Sequence, residues 1–203
     1  MRQSERVDLA RRGLWIFDMD GTLTVAVHDF DAIRAQLGLE SGKPILEQLA
    51  LLPEPRAREL YAQLDALELE LARGARAAEG AERLLESLAA RGSELGIVTR
   101  NSRANALETL RACGLERFFA PACVLGREAA APKPDPQGVL RLLAHWRAEP
   151  HQAVMVGDYR FDLLAGRAAG TATVYVDTGR EFRFAEHADL SVDSLGALRE
   201  LLG

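Results

Sequence analysis

Short apolar runs alternate with amphipathic stretches along most of the chain. Five runs read as buried strands that end in polar or turn residues: LWIF (14–17), LGIVT (95–99), ACVLG (122–126), AVMVGD (153–158) and TVYVDT (173–178). A sixth run, ADLSV (188–192), carries a weaker pattern. Between the runs lie helical periodicities with readable ends. Ser102 is placed to cap a helix carrying Ala104, Leu107 and Leu110 that stops at Gly114. Asp135 followed by Pro136 predicts a cap and first helical position for a helix running through Trp146. Strands that alternate with helices predict parallel pairing and right-handed crossovers. The expected fold is therefore α/β, a doubly wound, three-layer, Rossmann-like sheet.

Residues 28–79 break that rhythm. No strand pattern is present there, but helical patterns fall around 29–38, around 44–51 and from about 54 to 73. A stretch of about 50 residues is too long for a plain crossover in a compact fold. It predicts a small helical cap inserted after the first strand, with Gly80 near the point of return. The expected division is a catalytic core of residues 1–27 and 80–203, and a cap of residues 28–79. Extra helices packed flat on the sheet are the plainer alternative.

Composition narrows the function. The 203 residues are 48% apolar and 27% charged with a net charge of −5, an ordinary globular balance. A mildly acidic chain argues against nucleic acid or an anionic membrane as partner. The basic segment 1–12 precedes only four apolar residues, too few for a secretory signal or a membrane span, so a cytoplasmic protein is expected. Cys113 and Cys123 show no metal or redox spacing and read as free thiols. Only two of the 25 basic residues are lysines, Lys43 and Lys133, which singles each out as a place where a compact ammonium is wanted.

Ligands of an open parallel sheet sit beyond the carboxyl ends of its strands. That edge collects Asp18 and Asp20 after the first predicted strand, Thr99 at the end of the second, and Asp158 with Asp162 after the fourth. Lys133 follows the third in APKPDP. Two carboxylates about 5 Å apart repel by roughly 3 kcal/mol at an effective dielectric near 20. Several such pairs would consume much of a typical folding free energy of about 5–15 kcal/mol. A divalent cation resolves the conflict, and an all-oxygen site of few carboxylates suits Mg²⁺. Histidine and cysteine offer no zinc or iron spacing. Gly21 permits a sharp turn whose backbone N–H groups could face an anion, Thr99 offers a hydroxyl, and Lys133 a positive point charge. The residues thus point to a bound metal beside a phosphate.

The motifs DMDGTLT (18–24), VTRN (98–101), KPDP (133–136) and GDYRFD (157–162) resemble, in order and spacing, those of the haloacid dehalogenase superfamily of Mg²⁺-dependent phosphohydrolases. The resemblance covers the whole core and implies roles. Asp18 would be the nucleophile forming an aspartyl-phosphate. Asp20 would act as general acid and then base, with its backbone carbonyl on the metal. Asp158, Asp162 and the Asp18 carboxylate would complete the Mg²⁺ site, while Thr99 and Lys133 would hold the phosphoryl group. Retention of a carboxylate at position 20 favours oxygen-ester phosphoryl transfer over dehalogenation or carbon–phosphorus cleavage. Arg100 and Tyr159 depart from the usual smaller residues, and Arg100 is expected to charge the substrate entrance. From the cap side, His28, Arg34 and Lys43, with Arg160 of the core, are candidate substrate contacts. The expected activity is hydrolysis of a small-molecule phosphate monoester by a monomer or homodimer. A phosphomutase of the β-phosphoglucomutase kind is the enzymatic alternative, and a non-enzymatic phospho-receiver module the other.

Overall fold

The computed structural model describes residues 9–203; the first eight residues of the basic N-terminal segment lie outside that range. Six strands form one sheet: β1 (Leu14–Phe17), β2 (Glu94–Val98), β3 (Val124–Leu125), β4 (Ala153–Gly157), β5 (Ala172–Val176) and β6 (Leu190–Val192). Their order is β3-β2-β1-β4-β5-β6 and every pairing is parallel. This is the α/β, Rossmann-like fold that the alternation predicts. The third run is shorter than expected, because 121–123 forms a 3₁₀ turn and only Val124 and Leu125 pair, with Ile97 and Val98. An edge strand needs no more, since one side alone is hydrogen-bonded.

Side chains on a strand alternate between faces, so each strand serves two cores. Trp15 and Phe17 join Ile97, Val154 and Val174 in one cluster. That face is covered by α4 (Ala81–Ala90), α5 (Arg103–Ala112) and α8 (Leu195–Leu202). Ile16, Val98 and Met155 face the other way, under α6 (Gln137–Trp146) and α7 (Arg160–Ala169). A parallel sheet covered on both faces explains the continuous apolar runs.

Helix ends follow local chemistry. Ser102 Oγ accepts from the Asn105 N–H at 3.3 Å and starts α5, as expected. At α6 the boundary lies one residue later than predicted. Pro136 occupies the cap position, while Asp135 Oδ1 accepts from the Gln137 N–H at 2.8 Å. Both cysteines are free. Among the described residues no helix is long and apolar enough to cross a membrane.

Three helices lie between β1 and α4: α1 (Phe30–Leu37), α2 (Ile45–Ala50) and α3 (Glu54–Arg73). They enclose a cluster of their own, built from Ile33, Leu37, Leu46, Leu49, Leu60 and Leu64. Buried positions Leu60, Leu64, Glu68 and Ala72 recur every four residues and form one stripe along α3. The chain leaves and returns side by side. The Ala78 N–H donates to Leu23 O at 2.8 Å, and the Val25 N–H to Arg76 O at 3.0 Å.

Gly80 sits just after this return with φ +82°, and a Cβ there would lie 2.7 Å from the Gly196 nitrogen and 3.0 Å from its Cα. Both the left-handed backbone and the approach of α8 demand glycine. Gly80→Ala is expected to cost about 2–3 kcal/mol, lowering Tm by roughly 4–12 °C in a thermal melt. An unchanged melting temperature would show that the contact with Gly196 is not constraining.

Candidate active site

The carboxyl ends of β1 and β4 lie side by side, because Phe17 pairs with Val156. The Asp18 N–H donates to Val156 O at 2.9 Å, which extends the ladder to the first acidic residue. Asp158 follows β4 directly. Asp162, one turn into α7, turns back so that its Oδ2 accepts from the Tyr159 N–H at 3.0 Å. Asp162 therefore does the capping of α7 that Asp158 could have done, and Asp158 is left to its other neighbours. Carboxylate oxygens of Asp18, Asp158 and Asp162 come within 4.8 Å of one another.

Lys133 is driven into the middle of this cluster. Only 2% exposed, its Nζ reaches Asp18 Oδ1 at 2.5 Å and Asp162 Oδ1 at 2.6 Å. Burial by itself would lower the ammonium's pKa, but Asp162 and Asp18 outweigh it and hold the group at about 12. The remaining carboxylates are held upward. Burial, reinforced by Asp18 and Asp162, raises Asp158 well above its ordinary value. Burial raises Asp162 to about 6 against the pull of Lys133. Asp20 rises to about 7, first through burial and then through Asp18, with Asn101 and Lys133 opposing.

Such a set fits a hard divalent cation. The donors are all oxygens, they come from separated parts of the chain, and one lysine cannot balance them. Among the described residues no histidine or cysteine joins the group. The backbone is shaped around it as well. A Cβ on Gly21 would lie 2.5 Å from Asp158 Oδ2, so only glycine lets that carboxylate approach. Thr22 Oγ1 donates to Asp158 Oδ1 at 2.8 Å and fixes its rotamer.

A cavity of about 410 Å³ opens over these residues, a volume suited to a small molecule. Asp18, Asp20, Asp158, Asp162, Thr99 and Lys133 all line it, as do Arg100, His28, Arg34, Lys43 and Arg160. The predicted residues are thus together, though not all are equally disposed. The Gly21 N–H donates to Thr24 O at 3.1 Å and does not face an anion, a correction to the expectation from its turn. The Thr99 hydroxyl accepts from the Asn101 N–H at 3.0 Å and keeps its own proton to donate. Arg100 Nη2 is clamped by both oxygens of Glu47 on α2, at 2.9 and 2.7 Å, while Nη1 donates to the Lys133 carbonyl. Its cation is already matched by the inserted helices. Lys43 is exposed and paired with Glu40 at 2.6 Å, and Arg160 lies over the Phe161 ring. His28 stacks on Phe30; burial lowers its pKa, against the charge of Asp18.

Several residues of the site were not singled out by sequence pattern. Asn101 favours the ionised form of Asp20 and lies inside the VTRN motif, so position could have suggested it. Glu68 of α3 lines the cavity. It is raised to about 7, mainly by burial, although Arg127 Nη1 donates to its Oε2 at 2.8 Å. Arg127 also pairs with Asp65. Nothing local in the sequence links an arginine after β3 to two acids in α3.

Comparison with known proteins agrees with this geometry. A sequence profile described as haloacid dehalogenase-like hydrolase matches residues 15–176. A haloacid dehalogenase-like hydrolase domain-containing protein of Arabidopsis thaliana is 32% identical, the alignment covering 92% of this chain and 82% of that protein. The phosphoglycolate phosphatase of Rhodospirillum rubrum is 31% identical, with 90% and 84% covered. A predicted phosphoglycolate phosphatase from Haemophilus somnus superposes with a TM-score of 0.77 at 21% identity, over 95% of this chain and 99% of that one, which speaks to the fold. The chain belongs to the haloacid dehalogenase-like hydrolases, as an enzyme of their phosphatase branch.

Proposed function

We propose that the protein is a Mg²⁺-dependent phosphatase that hydrolyses a small phosphate monoester through an aspartyl-phosphate on Asp18. The observation that carries this reading is the meeting of Asp18, Asp158 and Asp162 around Lys133 beneath one small-molecule cavity. The Asp18 and Asp158 carboxylates and the Asp20 carbonyl would hold the cation, with Asp162 supporting it directly or through water. When bound, the cation supplies positive charge to the phosphate oxygens.

An Asp18 carboxylate oxygen attacks phosphorus in line, forming the Asp18–phosphorus bond as the ester bond breaks. Lys133 orients that carboxylate and, with the Thr99 hydroxyl, offers donors to the phosphoryl oxygens. Asp20, whose raised pKa near neutrality suits proton exchange, gives its proton to the leaving oxygen. Water then attacks phosphorus while Asp20 takes up a proton. The bond to Asp18 breaks, inorganic phosphate leaves, and both aspartates return to their starting state. Helices α1–α3 form a cap (residues 28–79) over the core, tied down by Glu47 to Arg100 and by Asp65 and Glu68 to Arg127. The likeness to the phosphoglycolate phosphatase of Rhodospirillum rubrum supports an oxygen-ester substrate, and the cap residues decide which one.

Purified protein is expected to hydrolyse an activated aryl phosphate with Mg²⁺, to lose that activity in EDTA, and to regain it on readdition. Full turnover without metal would remove the cation from the reading. Asp18→Asn is expected to lower kcat at least about 10³-fold while retaining the wild-type circular dichroism spectrum; near-normal turnover would exclude the covalent route. A third expectation concerns metal-free protein. Asp20, Asp158, Asp162 and Glu68 all hold protons more tightly folded than unfolded. The contribution of Asp20, Asp162 and Glu68 to stability is therefore present at low pH and lost as pH rises through their folded values, between about pH 4 and about pH 7, and Asp158 acts in the same direction. Thermal melts in EDTA should show Tm falling across that window, with Mg²⁺ opposing the fall at its upper end. A metal-free Tm that rises from pH 5 to 7 would contradict the clustered carboxylates.

A further inference from the structure

One acid of the inserted helices stands where packing asks for an apolar residue. Glu68 lies in the buried stripe of α3 with Leu60, Leu64 and Ala72, and its side chain is only 11% exposed. Burial penalises a carboxylate there and raises it to about 7, against the pull of Arg127. If fastening α3 to the core were its whole work, this acid would be redundant. Asp65, three residues earlier and 47% exposed, already holds Nη2 of the same guanidinium. A buried ion pair also adds little net stability over an apolar contact of similar volume.

The two carboxylate oxygens of Glu68 differ in their surroundings. Oε2 accepts from Arg127 Nη1 at 2.8 Å. Oε1 has no hydrogen-bond partner among the described residues and is not closed off by them. Glu68 lines the same cavity as Asp18 and Lys133, with Leu64 one turn away on the same wall. A half-matched carboxylate in such a wall is complete only when a bound molecule brings a donor to it. Arg127 already balances its charge, so that donor need carry none. A hydroxyl fits: it can donate to the carboxylate or accept from the carboxylic acid, and both forms are populated near pH 7. The apolar neighbour strengthens a hydrogen bond made there.

We propose that Glu68 Oε1 reads a hydroxyl group on the alcohol portion of the substrate whose phosphoryl group is transferred at Asp18. This rests on the phosphatase reading and narrows it to monoesters of polyhydric alcohols and sugars. The competing role is structural: Glu68 would serve only to hold Arg127 and so α3 to the core.

The test measures kcat/KM for unbranched alkyl phosphates of about two to five carbons, each paired with the same chain bearing a terminal hydroxyl. Aminoethyl phosphate serves as the ammonium-bearing counterpart of hydroxyethyl phosphate. The wild-type protein is expected to favour the hydroxylated member at one chain length by at least about tenfold. Glu68→Ala should bring that ratio to about one, chiefly through KM. Glu68→Gln, whose amide oxygen can keep Arg127 while its NH2 replaces Oε1, should fall between and needs less of the fold. Asp65→Asn loosens the same arginine from outside the cavity and should leave the ratio unchanged. A structural role would instead make the Glu68 and Asp65 variants alike, depressing both members of a pair together, and that result overturns the assignment. So would a wild-type protein that shows no preference at any chain length, or one that favours the aminoethyl ester over the hydroxyethyl ester; neither result depends on a variant. Turnover of the alkyl phosphates without preference removes only the role of Glu68. No turnover of any ester removes the phosphatase reading with it.

Discussion

A buried lysine between two aspartates is the interaction on which the rest of this molecule turns. Lys133 is tied to Asp18 after β1 and to Asp162 on α7. The single ammonium thus joins the loop after β3, the end of β1 and the first turn of α7. Removing one partner of a buried pair typically costs about 3–5 kcal/mol, because the other charge is stranded without water. Here the stranded charge would be one of several, since Asp158 and Asp20 stand close by. The same excess of negative charge that makes the cluster costly gives it an appetite for a cation and for a phosphoryl group's positive phosphorus. Stability and proposed chemistry draw on one electrostatic conflict.

The inserted helices enclose an apolar cluster of their own, and α3 packs along α5 of the core. Charged and polar links add to that packing. Glu47 clamps Arg100, Asp65 and Glu68 clamp Arg127, and the Asn105 amide donates to the Asp65 carbonyl at 3.0 Å. The Arg127–Glu68 pair is nearly buried, so losing one partner would strand the other charge. The Arg100–Glu47 link explains why Arg100 is large where a smaller residue was expected: the long side chain spans from the sheet to α2.

Much of the fold was legible because buried parallel strands leave a local signature. The runs before Asp18 and Asp158 are apolar at consecutive positions since both faces are covered, and of the helices between them α5 is capped by Ser102 while Asp135 accepts from the first N–H of α6. The third strand read as longer than it is. Apolar residues near an edge can turn into a 3₁₀ segment and still be buried, as Cys123 is. The core of the site was legible too, because residues that sit at the ends of strands inherit their position from the strand order. Gly21 shows where this fails. Its sequence context promised a free N–H, but whether Thr24 would take that hydrogen bond depended on how the loop closed.

By itself, then, the sequence determined the alternation of elements, the inserted helices, and the set of acidic and basic residues delivered to one edge of the sheet. Each of these follows from interactions between near neighbours along the chain. Only the tertiary structure decided which charges meet. Glu68 with Arg127 and Glu47 with Arg100 are set by the docking of three helices on a sheet, across separations of more than fifty residues. Electrostatic pairing has no period and no preferred spacing. Its partners are known only once the apolar packing has fixed where each backbone lies.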